Sequence, residues 1–194
     1  GESSGKLLAS ATADAQSAVY GHMIKTGDAT RSLVGMGRTN WSTAWVDTVT
    51  QRFVRSWFND PGVFVSGFYT TASINTTSTT ASEPSSEIRV EWLSWSDEII
   101  SLATDGTQTN NTTGALNYTS IAIDSTTVAL EAFMATAIFS GANKVPLACQ
   151  AITSSAKGYH YATVLVWTSA GTATVFGAGA AGSRTSLKGR AGGP

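Results

Sequence analysis

From Tyr20 onward, turn-forming residues interrupt the chain at short and regular intervals, and few of the segments between them can hold more than a short helix. The interruptions are Asn59-Asp60-Pro61-Gly62, Asp105-Gly106, Asp124-Ser125, Gly141-Ala142-Asn143, Ala156-Lys157-Gly158 and Ser169-Ala170-Gly171. A turn signal every ~8–12 residues between β-branched and aromatic runs is the mark of a β-sandwich or jelly roll. The spacing predicts an all-β, antiparallel, jelly-roll-like sandwich of about nine short strands over residues 21–194. An arm or linker at residues 1–20, Ala/Ser-rich with a weak helical stripe at Leu7, Leu8 and Ala11, precedes it.

Individual strands follow from alternation. In residues 87–92, Ile88, Val90 and Trp92 fall on one face and Glu87, Arg89 and Glu91 on the other. After Trp92 the phase breaks, since Leu93 and Trp95 become the apolar positions, and a bulge or bend is expected. Residues 44–49, 51–58 and 63–70 read as strands. The last two form a hairpin, because Pro61 presets φ and Gly62 accepts the positive φ that follows. Further strands are expected at 97–104, ended by Asp105-Gly106, and at 116–123, 128–139, 145–153, 159–168 and 173–176. Residues 73–86 read as a Ser/Thr loop and 107–114 as a polar exposed loop. The Gly/Ala-rich tail, 177–194, reads either as an ordered edge in an oligomer or as a frayed end. No internal repeat points to a solenoid or propeller.

Charged residues are only 13% of the 194 and the net charge is −1. Ser and Thr supply roughly a quarter of the chain, so hydroxyls keep its surface wet. No Lys/Arg run offers a stripe for nucleic acid, and no apolar run reaches the ~18 residues of a membrane helix. The first twenty residues lack the basic start and apolar centre of a signal peptide, so the chain is expected either to be used without Sec export or to continue a longer parent chain. Cys149 is the single cysteine. It excludes an internal disulfide and, flanked by Val145, Leu147 and Ile152, reads as a buried inert thiol. Sequons at Asn40, Asn75, Asn110, Asn111 and Asn117 are what a Thr- and Asn-rich chain generates by chance.

Catalytic chemistry finds little footing. Two histidines, His22 and His160, exclude a His-rich metal cluster, and no metal or cofactor is expected. Gly1-Glu2-Ser3-Ser4-Gly5 matches a nucleophile elbow, but no strand leads into it. Gly177, Gly179 and Gly182 fit a dinucleotide fingerprint literally, without the βαβ frame it needs. Glu87 and Glu91, four apart on a strand, would lie roughly 13 Å apart, beyond the ~5–9.5 Å of a glycosidase pair. With Arg89 between them they read as an ion-pair ladder.

Residues 30–58 stand out. They hold three of the six tryptophans and Arg31, Arg38, Arg52 and Arg55 in a chain otherwise short of charge. Asn40, Trp41, Trp45 and Asp47 form the candidate glycan-binding platform. An indole stacks on the apolar face of a sugar, and amide and carboxylate groups meet its hydroxyl rim. The alternative is that these rings are core or interface anchors, the reading also given to Trp92.

Residues 26–36, Thr-Gly-Asp-Ala-Thr-Arg-Ser-Leu-Val-Gly-Met, followed by Arg38-Thr39-Asn40, resemble a domain near the C-terminus of many tailed-bacteriophage tail fibre and tail-associated proteins. The resemblance continues through Val46-Asp47, Thr50-Gln51-Arg52-Phe53-Val54, Ser56-Trp57-Phe58-Asn59 and Ser86-Glu87-Ile88-Arg89-Val90-Glu91, and covers roughly residues 20–104. Leu187-Lys188-Gly189-Arg190 resembles the basic close of such chains, although Ala-Gly-Gly-Pro follows it here. Residues 1–19 do not match. The family brings no established site residues. It implies a virion structural protein on the particle exterior, tail or capsid, with a β-sandwich fold and a homotrimeric state. Other virion proteins would be reached through the N-terminal arm and bacterial surface polysaccharide through the exposed face. Three functions follow in order: a non-enzymatic tail fibre or receptor-binding module, a capsid decoration or head fibre protein, and a small polysaccharide depolymerase.

Overall fold

Long strands, rather than uniformly short ones, frame the molecule. The computed structural model describes residues 15–16, 23–25, 28–32, 35–39, 44–56, 60–95, 97–130, 133–137, 143–179 and 184–192. In chain order the strands are β1 (Ala15–Gln16), β2 (Met23–Lys25), β3 (Asp28–Ser32), β4 (Gly35–Gly37), β5 (Gln51–Arg52), β6 (Val54–Ser56), β7 (Val63–Phe68) and β8 (Ser73–Thr76). After a 3-10 turn at Ser86–Ile88 come β9 (Val90–Ser94), β10 (Glu98–Asn110), β11 (Leu116–Ile123), β12 (Phe133–Ala137), β13 (Val145–Ser155), β14 (Gly158–Thr168), β15 (Ala173–Phe176) and β16 (Ser186–Ala191). The fold is all-β, as the turn spacing predicts, with sixteen described strands instead of about nine.

Two sheets make the sandwich. One has the order β7-β16-β10-β15-β8 with β13 on the other flank of β10; the second has the order β12-β11-β14-β9-β5. Pairing is antiparallel except between β5 and β9, which run parallel. Smaller sheets join β1-β2-β3 and β4-β6. The core lies between the two large sheets. Val65, Ile100, Leu102 and Leu187 enter it from one side, and Val90, Trp92, Ile121 and Val164 from the other. Trp92 is fully buried, with its indole N–H donated to Ser94 Oγ at 3.0 Å. Burying each such large side chain stabilises the fold by about 2–3 kcal/mol.

Several expectations need correction. Residues 51–58 and 63–70 do not form a hairpin: β6 pairs with β4 and β7 with β16. Residues 44–49 carry only isolated bridges, Thr39 to Trp45 and Asp47 to Arg52. The expected loop at 73–86 contains β8, which pairs with β15. The strand expected from Glu87 begins at Val90, after the 3-10 turn. No bulge follows Trp92. The β9–β14 register is continuous, and both Trp92 and Leu93 are buried because β9 is covered on both faces.

Asp105-Gly106 does not end its strand. A β-carbon on Gly106 would lie 2.1 Å from Thr185 Oγ1, so this glycine serves close packing inside β10 rather than a turn. Of the expected exposed loop at 107–114, residues 107–110 instead complete β10, with Gln108 and Asn110 fully buried, while 111–114 form an exposed turn as expected. The tail is neither an edge nor a frayed end over residues 186–191: β16 lies between β7 and β10. Of the N-terminal arm, only Ala15–Gln16 is described, paired with β2; the rest, and His22, lie outside the described residues. Cys149 is buried, as expected, and burial pushes its thiol pKa up. Among the described residues no helix is long and apolar enough to cross a membrane.

Candidate functional site

The outer face of the five-stranded sheet carries the site, because alternation along β9 and β14 leaves polar and aromatic side chains there. His160 and Ala162 pair with Trp92 and Val90 on the core side. Tyr159 and Tyr161 therefore stand beside Leu93 and Glu91 on the outer side. Arg38 and Phe53 lie over this face at Tyr159. Phe53, 1% exposed, meets Tyr159 edge-on at 5.9 Å. The Arg38 guanidinium sits 3.5 Å from the Tyr159 ring centroid, within the range of a strong cation–π contact.

Where β5 joins β9, a shallow recess of about 320 Å³ opens, lined by Thr50, Gln51, Ser86, Glu87, Arg89 and Glu91. Its polar groups hold one another in place. Gln51 Nε2 donates to Glu91 Oε1 at 3.1 Å, and the Tyr159 hydroxyl donates to Glu91 Oε2 at 2.8 Å. Arg89 forks onto Glu83, with Nε to Oε1 at 2.6 Å and Nη2 to Oε2, and its guanidinium lies 5.1 Å from the Tyr161 ring. Thr163 Oγ1 donates to the same Glu83 at 2.5 Å. The predicted Glu87-Arg89-Glu91 ladder is thus replaced: Arg89 pairs with Glu83, because the 3-10 turn takes Glu87 out of phase with the strand.

Glu87 clamps the end of β7 instead. Its Oε2 accepts the Thr70 amide, the Thr70 hydroxyl and the Thr71 amide at 2.8–2.9 Å, and its Oε1 accepts the Thr71 hydroxyl. Bonds from the Thr71 hydroxyl and amide, then from Thr70, hold this carboxylate down to about 2. Burial, reinforced by the bond to Glu91, pushes the Tyr159 phenol up to about 12.

Of the four candidate platform residues, Asn40 and Trp41 lie outside the described residues. Trp45 is 46% exposed, with its ring over Gly37, where a β-carbon would come within 2.7 Å of it. Asp47 is exposed and pairs with Arg52 at 3.4 Å. Trp45 and Asp47 thus lie on the segment leading into β5, whose Thr50 and Gln51 line the recess. Sequence reasoning missed Arg38, Gln51, Glu83, Tyr159 and Tyr161. The available signal was Tyr159-His160-Tyr161, whose alternation puts both phenols on one face.

The sandwich also contains a histidine–carboxylate pair, in a recess shared with Thr153, Ser154 and Ser155. His160 Nδ1 lies 2.6 Å from Asp124 Oδ2 and Nε2 lies 2.8 Å from the Ala156 carbonyl. Both ring nitrogens face acceptors, which leaves neither for a serine hydroxyl. Among the described residues no group of three or more His, Cys, Asp or Glu side chains could hold a metal ion.

No protein-family model matches the chain, and no curated protein matches it. Among solved structures, Eiger TNF from S. frugiperda is 10% identical with a TM-score of 0.35, covering 64% of this chain and 91% of that one. The structure of infectious bursal disease virus Gx strain is 11% identical with a TM-score of 0.25, covering 67% of this chain and 37% of that one.

Proposed function

We propose that this chain is a structural protein of a tailed-bacteriophage particle, a tail fibre or receptor-binding module that contacts host surface glycan through the recess beside Gln51 and Glu91. The recess carries the glycan reading. Its amide, carboxylate and guanidinium groups are fixed by their own partners, and among the described residues each Glu91 oxygen accepts one hydrogen bond, with capacity for a sugar hydroxyl besides. Trp45, 46% exposed and six residues before Gln51, offers ring surface on the segment that leads into the recess. Such pre-ordered polar groups beside aromatic rings lower the ordering cost of a weak ligand. The virion reading rests on the resemblance of residues 26–59 and 86–91, with the low-charge, hydroxyl-rich surface in support. A homotrimer, joined to other virion proteins through residues 1–20, would multiply weak contacts by avidity.

Accepting hydrogen bonds suits Glu87 better than donating a proton. A carboxylate held to about 2 is no proton donor at neutral pH, and glycoside cleavage needs a protonated acid opposite a free carboxylate. The test is adsorption of particles with and without the protein to host cells, together with its copy number in purified particles. Lost adsorption with a few to a few dozen copies supports the proposal. Undiminished adsorption sinks it, and copies on the order of hundreds shift the assignment to capsid decoration.

A further inference from the structure

The outer face of the six-stranded sheet brings exposed rings and cations together. β7 and β16 pair antiparallel, with Phe64 opposite Arg190, Ser66 opposite Lys188 and Phe68 opposite Ser186. Val63, Val65 and Leu187 fill the core side of the same two strands. Alternation therefore turns Phe64, Phe68, Lys188 and Arg190 outward. All four are exposed, Phe64 by 52%. Arg184 extends the row, with its guanidinium 4.2 Å from the Phe68 ring centroid.

Little negative charge answers these cations. Among the described residues, the outward positions of β7, β16 and β10 carry one carboxylate, Asp105, which lies 3.5 Å from Lys188 in an exposed contact. Glu98 of β10 is turned to Arg55. Arg190 donates Nη2 to the Pro61 carbonyl at 2.7 Å, a neutral acceptor that orients the guanidinium without matching its charge. Three cations against one carboxylate leave the patch net positive, in a chain whose net charge is −1. Its floor is low and bears hydroxyls: Ser101 and Ala103 of β10 lie opposite Arg190 and Lys188. Strand rise spaces Lys188 from Arg190 by ~7 Å and Phe64 from Phe68 by ~13 Å on adjacent strands, so one linear ligand spans both rows.

We propose that this face is a second ligand surface, which binds an acidic polysaccharide with its anionic groups on Lys188 and Arg190 and its sugar rings against Phe64 and Phe68. An exposed phenyl ring suits the apolar face of a sugar, Ser66 and Ser101 suit its hydroxyls, and the anions complement the positive patch. Three cations fall short of the roughly 6–10 phosphate contacts of a strong nucleic-acid binder. The recess beside Glu91 lies on the other sheet, so the two surfaces stand or fall separately.

NMR of the full chain tests the proposal, with four probes titrated in turn: tetragalacturonate, its methyl ester (the same rings without charge), inorganic tripolyphosphate (charge without rings) and duplex DNA. Tetragalacturonate should shift Phe64, Phe68, Lys188 and Arg190, and bind at least about fivefold more tightly than the ester. Its affinity should fall as salt rises, because exposed charges are screened beyond ~8–10 Å. Lys188→Gln/Arg190→Gln should bring it down to the level of the ester, whereas Lys188→Arg/Arg190→Lys, which keeps the charge, should retain the preference. Phe64→Ala/Phe68→Ala should bring it down to the level of tripolyphosphate. Equal affinity for acid and ester, tripolyphosphate or DNA binding as tightly as tetragalacturonate, no shift at millimolar tetragalacturonate, shifts away from β7 and β16, or undiminished binding in the folded glutamine variant would each overturn it.

Discussion

Arg55 and Glu98 form a two-point ion pair, Nη2 to Oε1 at 2.6 Å and Nη1 to Oε2 at 3.1 Å, with the guanidinium side chain 1% exposed. The pair fastens β6, in the small β4-β6 sheet, to β10, the longest strand of the sandwich. Arg55 also donates Nε to Asp60 at 2.7 Å and Nη1 to the Leu93 carbonyl at 2.6 Å. Arg55→Ala would leave two carboxylates uncompensated and is expected to cost about 3–5 kcal/mol in denaturant unfolding. Arg55→Lys recovers only part of that, because an ammonium cannot fork. A loss below about 1 kcal/mol for the alanine variant would contradict this role.

Acid should loosen the same junction. Burial alone would raise Asp60, but the bonds from Arg55, Trp95 and Gly62 outweigh it and hold its pKa below the ordinary 3.8. A depressed native pKa contributes stability that is present above the unfolded value and lost as pH falls through the native one. Unfolding midpoints should therefore fall below about pH 3.8 in the parent and fall less in Asp60→Asn.

Glu87 offers a residue-level check. Carbon-detected NMR of its carboxyl should show a midpoint near 2. Thr71→Val removes the hydroxyl donor, the largest of its stabilising contacts, and should move the midpoint upward toward the ordinary 4.5. An unshifted midpoint in the variant would show that the clamp does not form.

Tyr159 predicts the alkaline side. Its phenol, ordinarily near 10, should ionise only near 12, and Glu91→Gln should bring it down by removing a carboxylate acceptor. A raised native pKa contributes stability that is complete below about 10 and lost as pH rises toward 12. Absorbance titration of the parent and the variant reads both.

Strand alternation made β11 and β15 legible in full, since Leu116–Ile123 and Ala173–Phe176 match the predicted bounds. The all-β class followed from turn spacing alone. β10 was cut short because Asp105-Gly106 carries the same residues as a turn, and only the packing of Thr185 reveals why glycine is there. β16 was hidden by its Gly/Ala-rich surroundings, although Leu187, Gly189 and Ala191 alternate with exposed Lys188 and Arg190. The site was half legible. Trp45 and Asp47 stood out by composition, but Tyr159 to Glu91 joins segments distant in sequence, which no local pattern encodes, and Glu83 meets Arg89 only because the 3-10 turn at Ser86–Ile88 folds the chain between them.

The most direct test of the account is backbone and side-chain NMR of the protein titrated with host surface polysaccharide. Glycan contact through the recess predicts shifts concentrated at Trp45, Gln51, Glu91 and Tyr159, abolished in Trp45→Ala/Gln51→Ala with the fold intact. Shifts clustered elsewhere, or none at saturating polysaccharide, would contradict it.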